Sequence, residues 1–437
     1  MTSHSYIKIF LSLSMALLSA LSASAMSIEE ARQAAAKGNT DAMLELARLA
    51  LKAYRFDEAI DAIGKYNAKG KSSSEAESIK IRAQHGKSML DRVENIQVID
   101  SINVDADAFF AAFNLSAPTG KLADSEIVNS ALSNDWRAEH PDVIVASPVF
   151  VNESGERMLW TTTGGDHASN TTIWELESLA DGTWDTPRAL FDYTTIFDGD
   201  DSGVSLFAPF LMSDGVTLYF GAEGDASLGG YDIFITRRDD DNTFLQPQNI
   251  GMPYNSPSND YMYAIDELTG IGWWATDRNN IPGKVTIYRF VPSDLRVNYS
   301  PDTPGLIGLA SLSSGVAATQ PQGADYTTLL AALPAANAQS SADEPDFTFA
   351  IQGKIYTSLD DFRNDSARRL MESYLDYADE YDLDRQDLDR LRIKYRKGDK
   401  SVRQQIIQLE KSQEEGRLRL RSMANEIIRC ELGNKIK

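Results

Sequence analysis

Side chains able to do covalent or metal chemistry are few and scattered. Beyond the first 25 residues the histidines are His85, His140 and His167, and the only cysteine is Cys430. A Ser-His-Asp hydrolase needs nucleophile, base and orienting carboxylate within hydrogen-bond reach, and a zinc site needs His or Cys at spacings such as His-x-x-x-His. Neither pattern is written in the chain, and a Gly-x-Ser-x-Gly elbow and a phosphate loop are missing too. Asp198-Gly199-Asp200-Asp201-Ser202-Gly203 and Asp239-Asp240-Asp241-Asn242 concentrate the hard oxygens that calcium takes. Neither follows the calcium loop with its glycine at six and glutamate at twelve, and Asp, Asn and Gly are what tight turns require anyway. Solvated turns are the expectation there. Trp160, Trp174, Trp184, Trp273 and Trp274 could stack on sugar rings, yet four of these five fall at repeat positions where an aromatic belongs to the core. Trp273 and Trp274 are adjacent, so in a strand they point to opposite faces and cannot share one layer. We expect no catalytic, cofactor or metal-binding residues, and binding residues stay unknown at this level.

The elements that position these residues follow from length, charge and periodicity. At 437 residues the chain predicts two or three domains, and 42% apolar with 24% charged residues is ordinary globular composition. Against 42 Lys and Arg stand 64 Asp and Glu, a net charge of -22 that repels phosphate backbones and anionic lipid headgroups. The acidity is local: residues 1–91 carry 12 basic and 10 acidic side chains, 92–365 carry 13 and 40, and 366–437 carry 17 and 14. Near the start, Lys8 precedes an apolar run over 9–21 that closes on Ala23-x-Ala25. That is the pattern of a signal peptide, 1–25, cleaved after Ala25. No cysteine stands just after it to take a lipid anchor, and one cysteine cannot form an intramolecular disulfide. The expectation is an exported protein, periplasmic in a Gram-negative cell and without a membrane-spanning segment, with outer-membrane association left open.

From 27 to about 90 the apolar spacing is helical, with Leu46, Leu49 and Ala50, then Phe56, Ala59, Ile60 and Ile63, and an N-cap signal at Ser72-Ser73-Ser74-Glu75. From about Val93 the period changes to two. Ser147-Pro148-Val149-Phe150-Val151, Gly155–Trp160 and Trp184-x-x-Pro187 realign with Ala208-Pro209-Phe210-Leu211-Met212, Asp214–Phe220 and Phe244-x-x-Pro247, and 261–290 forms a weaker third copy. Each copy reads as short antiparallel strands joined by Asp/Gly turns, which need stacking to bury their faces. From 365 to 432 the pattern returns to helix, with one stripe from Leu370 to Tyr395, a break at Gly398-Asp399 and a second stripe from Val402. An α-hairpin and a coiled-coil dimer are both open for this part.

These residues carry a resemblance. The stretch 46–60 resembles the turn of a tetratricopeptide repeat, and Pro209–Phe220 with Gly229-Gly230-Tyr231-Asp232-Ile233-Phe234 and Pro253-Tyr254-Asn255-Ser256 resembles the WD-like repeats of exported TolB-type propellers. The likeness is to outer-membrane-associated proteins in which a helical repeat precedes a propeller and an OmpA-type domain follows, although no OmpA-type sequence is visible here. Ser213-Asp214-Gly215 is faintly similar to the aspartate box of sialidases, a structural turn in that family. The resemblance implies a mainly β fold with helical ends. A TPR-like α-hairpin over 26–91 is expected first, then a β-propeller over 92–362, then an α-hairpin or coiled coil over 363–437. Repeats cover about 146–292, 93–104 meets 347–356 to close the ring, and about 300–345 is a flexible insertion. The implied function is a non-enzymatic scaffold of outer-membrane assembly or secretion, binding protein partners with a basic contact surface, and no nucleic acid. A glycan-binding or glycan-hydrolysing propeller is the alternative, and a homodimer through the C-terminal helices stays open.

Overall fold

The computed structural model describes residues 26–141, 143–163, 172–179, 182–190, 204–239, 243–293, 295–331, 333, 347, 349–351, 354–356, 358–396 and 400–433. Residues 1–25, His167, the run 198–203 and residues 240–242 lie outside them. The chain divides into two compact units, one reaching Tyr326 and including 333–336, the other comprising 327–332 and 337–437.

The first unit opens with four helices, α1 (Ile28–Ala36), α2 (Thr40–Lys52), α3 (Phe56–Ala68) and α4 (Ser74–Leu90). Side chains that satisfy orphan amide groups start three of them: Ser27 and Glu30 form a capping box, Asn39 accepts from Ala42 N at 3.0 Å, and Ser73 accepts from Ala76 N at 3.1 Å. Ala47, Ala50, Ala59, Ala62 and Ala83 are buried where the helices meet, so the backbones approach closely. Leu228 and Met252 from the β region and Leu306, which follows it, complete this core. Strand β1 (Gln97–Asp105) follows, then β2 (Lys121–Ala123), the short helices α5 (Glu126–Ala131) and α6 (Asn134–Glu139), and the strands β3 (Ile144–Val145), β4 (Val149–Val151), β5 (Arg157–Thr163), β6 (Ile173–Glu177) and β7 (Arg188–Ala189). The next four are β8 (Ser205–Leu211), β9 (Thr217–Glu223), β10 (Asp232–Arg237) and β11 (Gln248–Asn249), and β12 (Asp260–Asp266), β13 (Ile271–Thr276) and β14 (Lys284–Val291) close the series. They form separate antiparallel sheets with orders β2-β4-β5-β6-β7, with β3 on β5, then β11-β10-β9-β8, then β1-β14-β13-β12.

The propeller expectation is corrected by this topology. Among the described residues none of the sheets closes, and helices at both ends and between strands make the class mixed α/β instead of mainly β. The two segments expected to close the ring have other strand partners, since β1 pairs with β14 and Phe349–Ile351 pairs with Lys354–Tyr356. The physical reason is what covers each face. Val128 and Leu132 at α5 and Trp136 in α6 pack on Met158, Trp160 and Leu176, so helices seal a face that the propeller reading assigned to a neighbouring blade.

Part of the expected insertion is also built in. Helix α7 (Leu306–Ser311) buries Leu306 and Ala310, and a turn at Val316–Thr319 docks on β1. There the register slips between Val98 and Asp100. Thr319 Oγ1 accepts from Val98 N at 3.0 Å, and Gln320 Nε2 donates to the carbonyls of Val98 and Ile99 at 2.8 and 2.9 Å, so the bulge leaves none of these groups orphaned. The Ala/Ser/Gly-rich composition of this stretch hid that docking.

The second unit pairs α8 (Asp365–Arg396) with α9 (Arg403–Glu431) as an antiparallel hairpin. At its base Glu431 accepts from Arg363 N and Asn364 N, both at 3.0 Å, and Phe349, Ile351, Tyr356, Phe362, Met371 and Ile427 form a small core. Higher up, a Cβ on Gly416 would stand 2.7 Å from the Tyr381 ring, so glycine lets the two helices close there. No helix among the described residues is long and apolar enough to cross a membrane.

Candidate functional site

Besides Asp266, which accepts from Ser116 N and Ser116 Oγ, both at 2.7 Å, two polar centres are buried in the first unit. The first is built from the two segments that carried the repeat resemblance. Asp232, at the start of β10, is fully buried, and its carboxylate accepts from Leu228 N at 2.8 Å, Gly229 N at 3.1 Å and Asn249 Nδ2 at 2.6 Å. Burial pushes its pKa up to about 7, with the amide donors pulling the other way. A Cβ on Gly229 would fall 1.8 Å from the Ser258 carbonyl, so only glycine permits this crossing of loops. Asn255 accepts from Ile233 N at 2.7 Å and donates to Ile233 O at 2.9 Å, which ties the loop to β10 as a strand would.

Asp260, at the start of β12, mirrors Asp232. It accepts from Ser256 N and Ser256 Oγ, both at 2.7 Å, and pairs with Arg278 at 2.7 Å. Burial raises the Asp260 carboxyl, and Arg278 pulls it back. Burial also works against the charge on Arg278, but Asp260 more than offsets it and holds the guanidinium above its usual value. Arg278 donates as well to the Pro253 carbonyl at 2.8 Å. Tyr54, in the left-handed conformation at the turn between α2 and α3, is buried beside Arg278 and Asp260, and burial raises its hydroxyl pKa while the charge of Arg278 pulls the other way. The N-terminal helices are therefore keyed to the β framework through this polar knot.

The second centre is Glu175 on β6. Its carboxylate is fully buried and faces Arg188 Nε at 2.8 Å, Arg238 Nη2 at 2.7 Å and Arg157 Nε at 3.5 Å. Arg157 also reaches Glu177 at 2.8 Å. Arg238 follows β10 in the second sheet and lies 5.0 Å from the Phe244 ring centroid, so the cluster ties two sheets together. Burial lowers the Arg238 pKa, and Glu175 opposes that. Trp174 precedes Glu175 and leaves β6 on the opposite face, where it meets Trp136 edge-on at 5.6 Å. Trp174 and the arginines around Glu175 therefore lie on opposite faces of β6.

The residues singled out in the sequence are placed as follows. Trp273 and Trp274 are both fully buried on opposite faces of β13, Trp273 against Phe113 and Arg289, Trp274 against Tyr254, Tyr288 and Phe290. Trp160 is fully buried and Trp184 packs at the edge of the same core. His85 is half-buried on α4, where burial lowers its pKa against the pull of Asp225. His140 stacks on Trp136 at 4.4 Å. The two histidines belong to different cores. Asp214 accepts from Val216 N and Thr217 N, both at 2.8 Å, and Asp239 accepts from Thr243 N at 2.8 Å, so both are turn-formers. Cys430 is partly exposed beside Asn364, which donates to its carbonyl at 2.9 Å. No group of three or more His, Cys, Asp or Glu among the described residues could hold a metal ion.

Sequence reasoning missed the arginine cluster. Its one local signal is a glutamate inside the apolar strand Ile173-Trp174-Glu175-Leu176, since a buried charge demands a partner. Compared with known proteins, the chain matches no family, no curated protein and no solved structure.

Proposed function

We propose that the chain is a non-enzymatic binding scaffold of the cell envelope, exported to the periplasm by the leader 1–25, whose acidic central region takes a protein partner with a basic contact surface. The observation that supports this most is the state of the buried carboxylates. Glu175 is ringed by three arginines, Asp260 is paired with Arg278, and Asp232 and Asp266 are capped by amide and hydroxyl donors. These charges fix sheets to one another and helices to sheets, which is framework work. Residues 92–365 carry 13 basic against 40 acidic side chains in all, and the acidity beyond these four carboxylates is then available to steer and hold a basic partner. Crosslinking in intact cells followed by affinity purification tests the reading. Recovery of an envelope protein with a basic surface supports it, and recovery of the free chain alone overturns it.

A further inference from the structure

We propose that the tip of the C-terminal hairpin docks on an anionic lipid surface, met end-on and held by charge without insertion. The inference does not rest on the basic partner proposed above, because it concerns the opposite sign of charge on the other unit. Charge is banded along the hairpin. The base, 365–376 with 417–431, carries six basic and five acidic side chains, and the middle, 377–389 with 413–416, carries one basic and eight acidic. The tip, 390–403, carries seven basic and one acidic, and 404–412 carries one of each. A chain of net charge -22 therefore ends this hairpin on a basic cap. Arg390, Arg392, Lys394, Lys400 and Arg403 are all exposed there.

Their spacing sets these cations around the tip instead of on one face of it. At about 100° per residue, Arg392 projects from α8 on the side opposite to Arg390 and Lys394, and Arg403 stands opposite to Gln405 on α9. Arg390, Lys394 and Gln405 line a groove of about 500 Å³ between the helices, where Leu391 and Leu409 are half-buried. An acidic helix of a protein partner laid in that groove would meet Arg390 and Lys394 and leave Arg392 and Arg403 on the far sides. A flat anionic surface across the end meets all of them. The end itself offers charge and not an apolar wedge: Lys400 Nζ covers the Tyr395 ring at 3.8 Å from its centroid, and Val402 is buried. Arg390 to Arg396 spans about 9 Å of α8, so the basic band lies within about one Debye length of the end, and most of the acidic middle lies beyond it. Each Lys or Arg held near an anionic leaflet strengthens binding about fivefold.

Co-sedimentation with vesicles provides the test, using the chain from residue 26 so that the apolar run 9–21 cannot bind lipid by itself. Binding is expected to vesicles of phosphatidylcholine with about 30% phosphatidylglycerol and not to phosphatidylcholine alone, and it should fall about tenfold or more between ~0.1 M and ~0.5 M salt. Lys394→Glu with Arg403→Glu should lower it by about tenfold or more. Lys52→Glu with Lys69→Glu, at exposed lysines of the first unit, makes the same change in net charge and should leave it within about twofold. A fluorophore on Ser401→Cys, in a chain that also carries Cys430→Ser, should be quenched by spin-labelled headgroups. The same fluorophore on the native Cys430 should not be, because α9 spans about 43 Å. Equal binding to both vesicles, binding to neither, equal loss in the two double variants, or quenching at Cys430 alone would each overturn the proposal. Binding of the tip to polyglutamate with none to the anionic vesicles would assign it to an acidic protein instead and would overturn it too.

Discussion

Replacing Glu175 with glutamine removes the one carboxylate on which three guanidinium groups converge. Arg188 is 37% exposed and can turn to water, and Arg157, at 22%, retains Glu177 at 2.8 Å. Arg238 cannot adapt in this way, because its side chain is 8% exposed. Removing one partner of a buried pair costs about 3–5 kcal/mol, and with two of the three arginines able to relax we expect about 3 kcal/mol. Arg188→Gln, which breaks a half-exposed pair, should cost no more than about 1 kcal/mol. Adding Arg238→Met to Glu175→Gln removes the buried guanidinium that faced the carboxylate and should recover about 2 kcal/mol of the loss. The six tryptophans, Trp136, Trp160, Trp174, Trp184, Trp273 and Trp274, all belong to the first unit. Tryptophan emission during urea unfolding therefore reports this unit alone. The reasoning is refuted if Glu175→Gln costs no more than Arg188→Gln, or if the two substitutions in the double variant are additive.

Three further outcomes follow. Asp232, raised by burial to about 7, holds its proton more tightly in the folded chain than in the unfolded one, where a carboxyl titrates near ~4. The resulting stabilisation is complete below about pH 4 and is lost as pH climbs to about 7, so wild-type stability should fall by a few kcal/mol across that window relative to Asp232→Asn. A stability difference that stays flat there contradicts the assignment. Gly416→Val places a side chain against the Tyr381 ring and should lower the stability of the hairpin by about 1–3 kcal/mol, seen by circular dichroism at 222 nm, with tryptophan emission unchanged. Gln320→Ala leaves the carbonyls of Val98 and Ile99 without their side-chain donor and should cost about 1–3 kcal/mol, with faster amide exchange along β1.

How far the fold could be read from sequence differed by the range of the interaction involved. Hairpins such as β8–β9 and β12–β13 are encoded locally by alternation and by Asp/Gly turns like the one at Asp214, and these are legible. The assembly of sheets is not local. Whether a face is sealed by another sheet or by Val128 and Trp136 depends on contacts that no repeat records, which is why a ring was inferred where separate sheets stand. Repeat matching found the segments 229–234 and 253–256 but not their role, since Asp232 and Asp260 are satisfied by neighbouring loops and by Arg278. Glu175 and Arg238 are 63 positions apart and meet only across two sheets. The helical spacing read from 27 does not set α1 apart from α2, because the apolar face of α1 is alanine, with Ala31 and Ala35 as the buried residues.

The central claim is that the charge inside this chain is framework and the charge outside is for binding. Capture of envelope proteins on the immobilised chain at low and at high salt tests it most directly. The account predicts retention of a protein with a basic surface at low salt and its release as salt screens the contact. Retention of nothing, or of a partner equally bound at both salt concentrations, would contradict it.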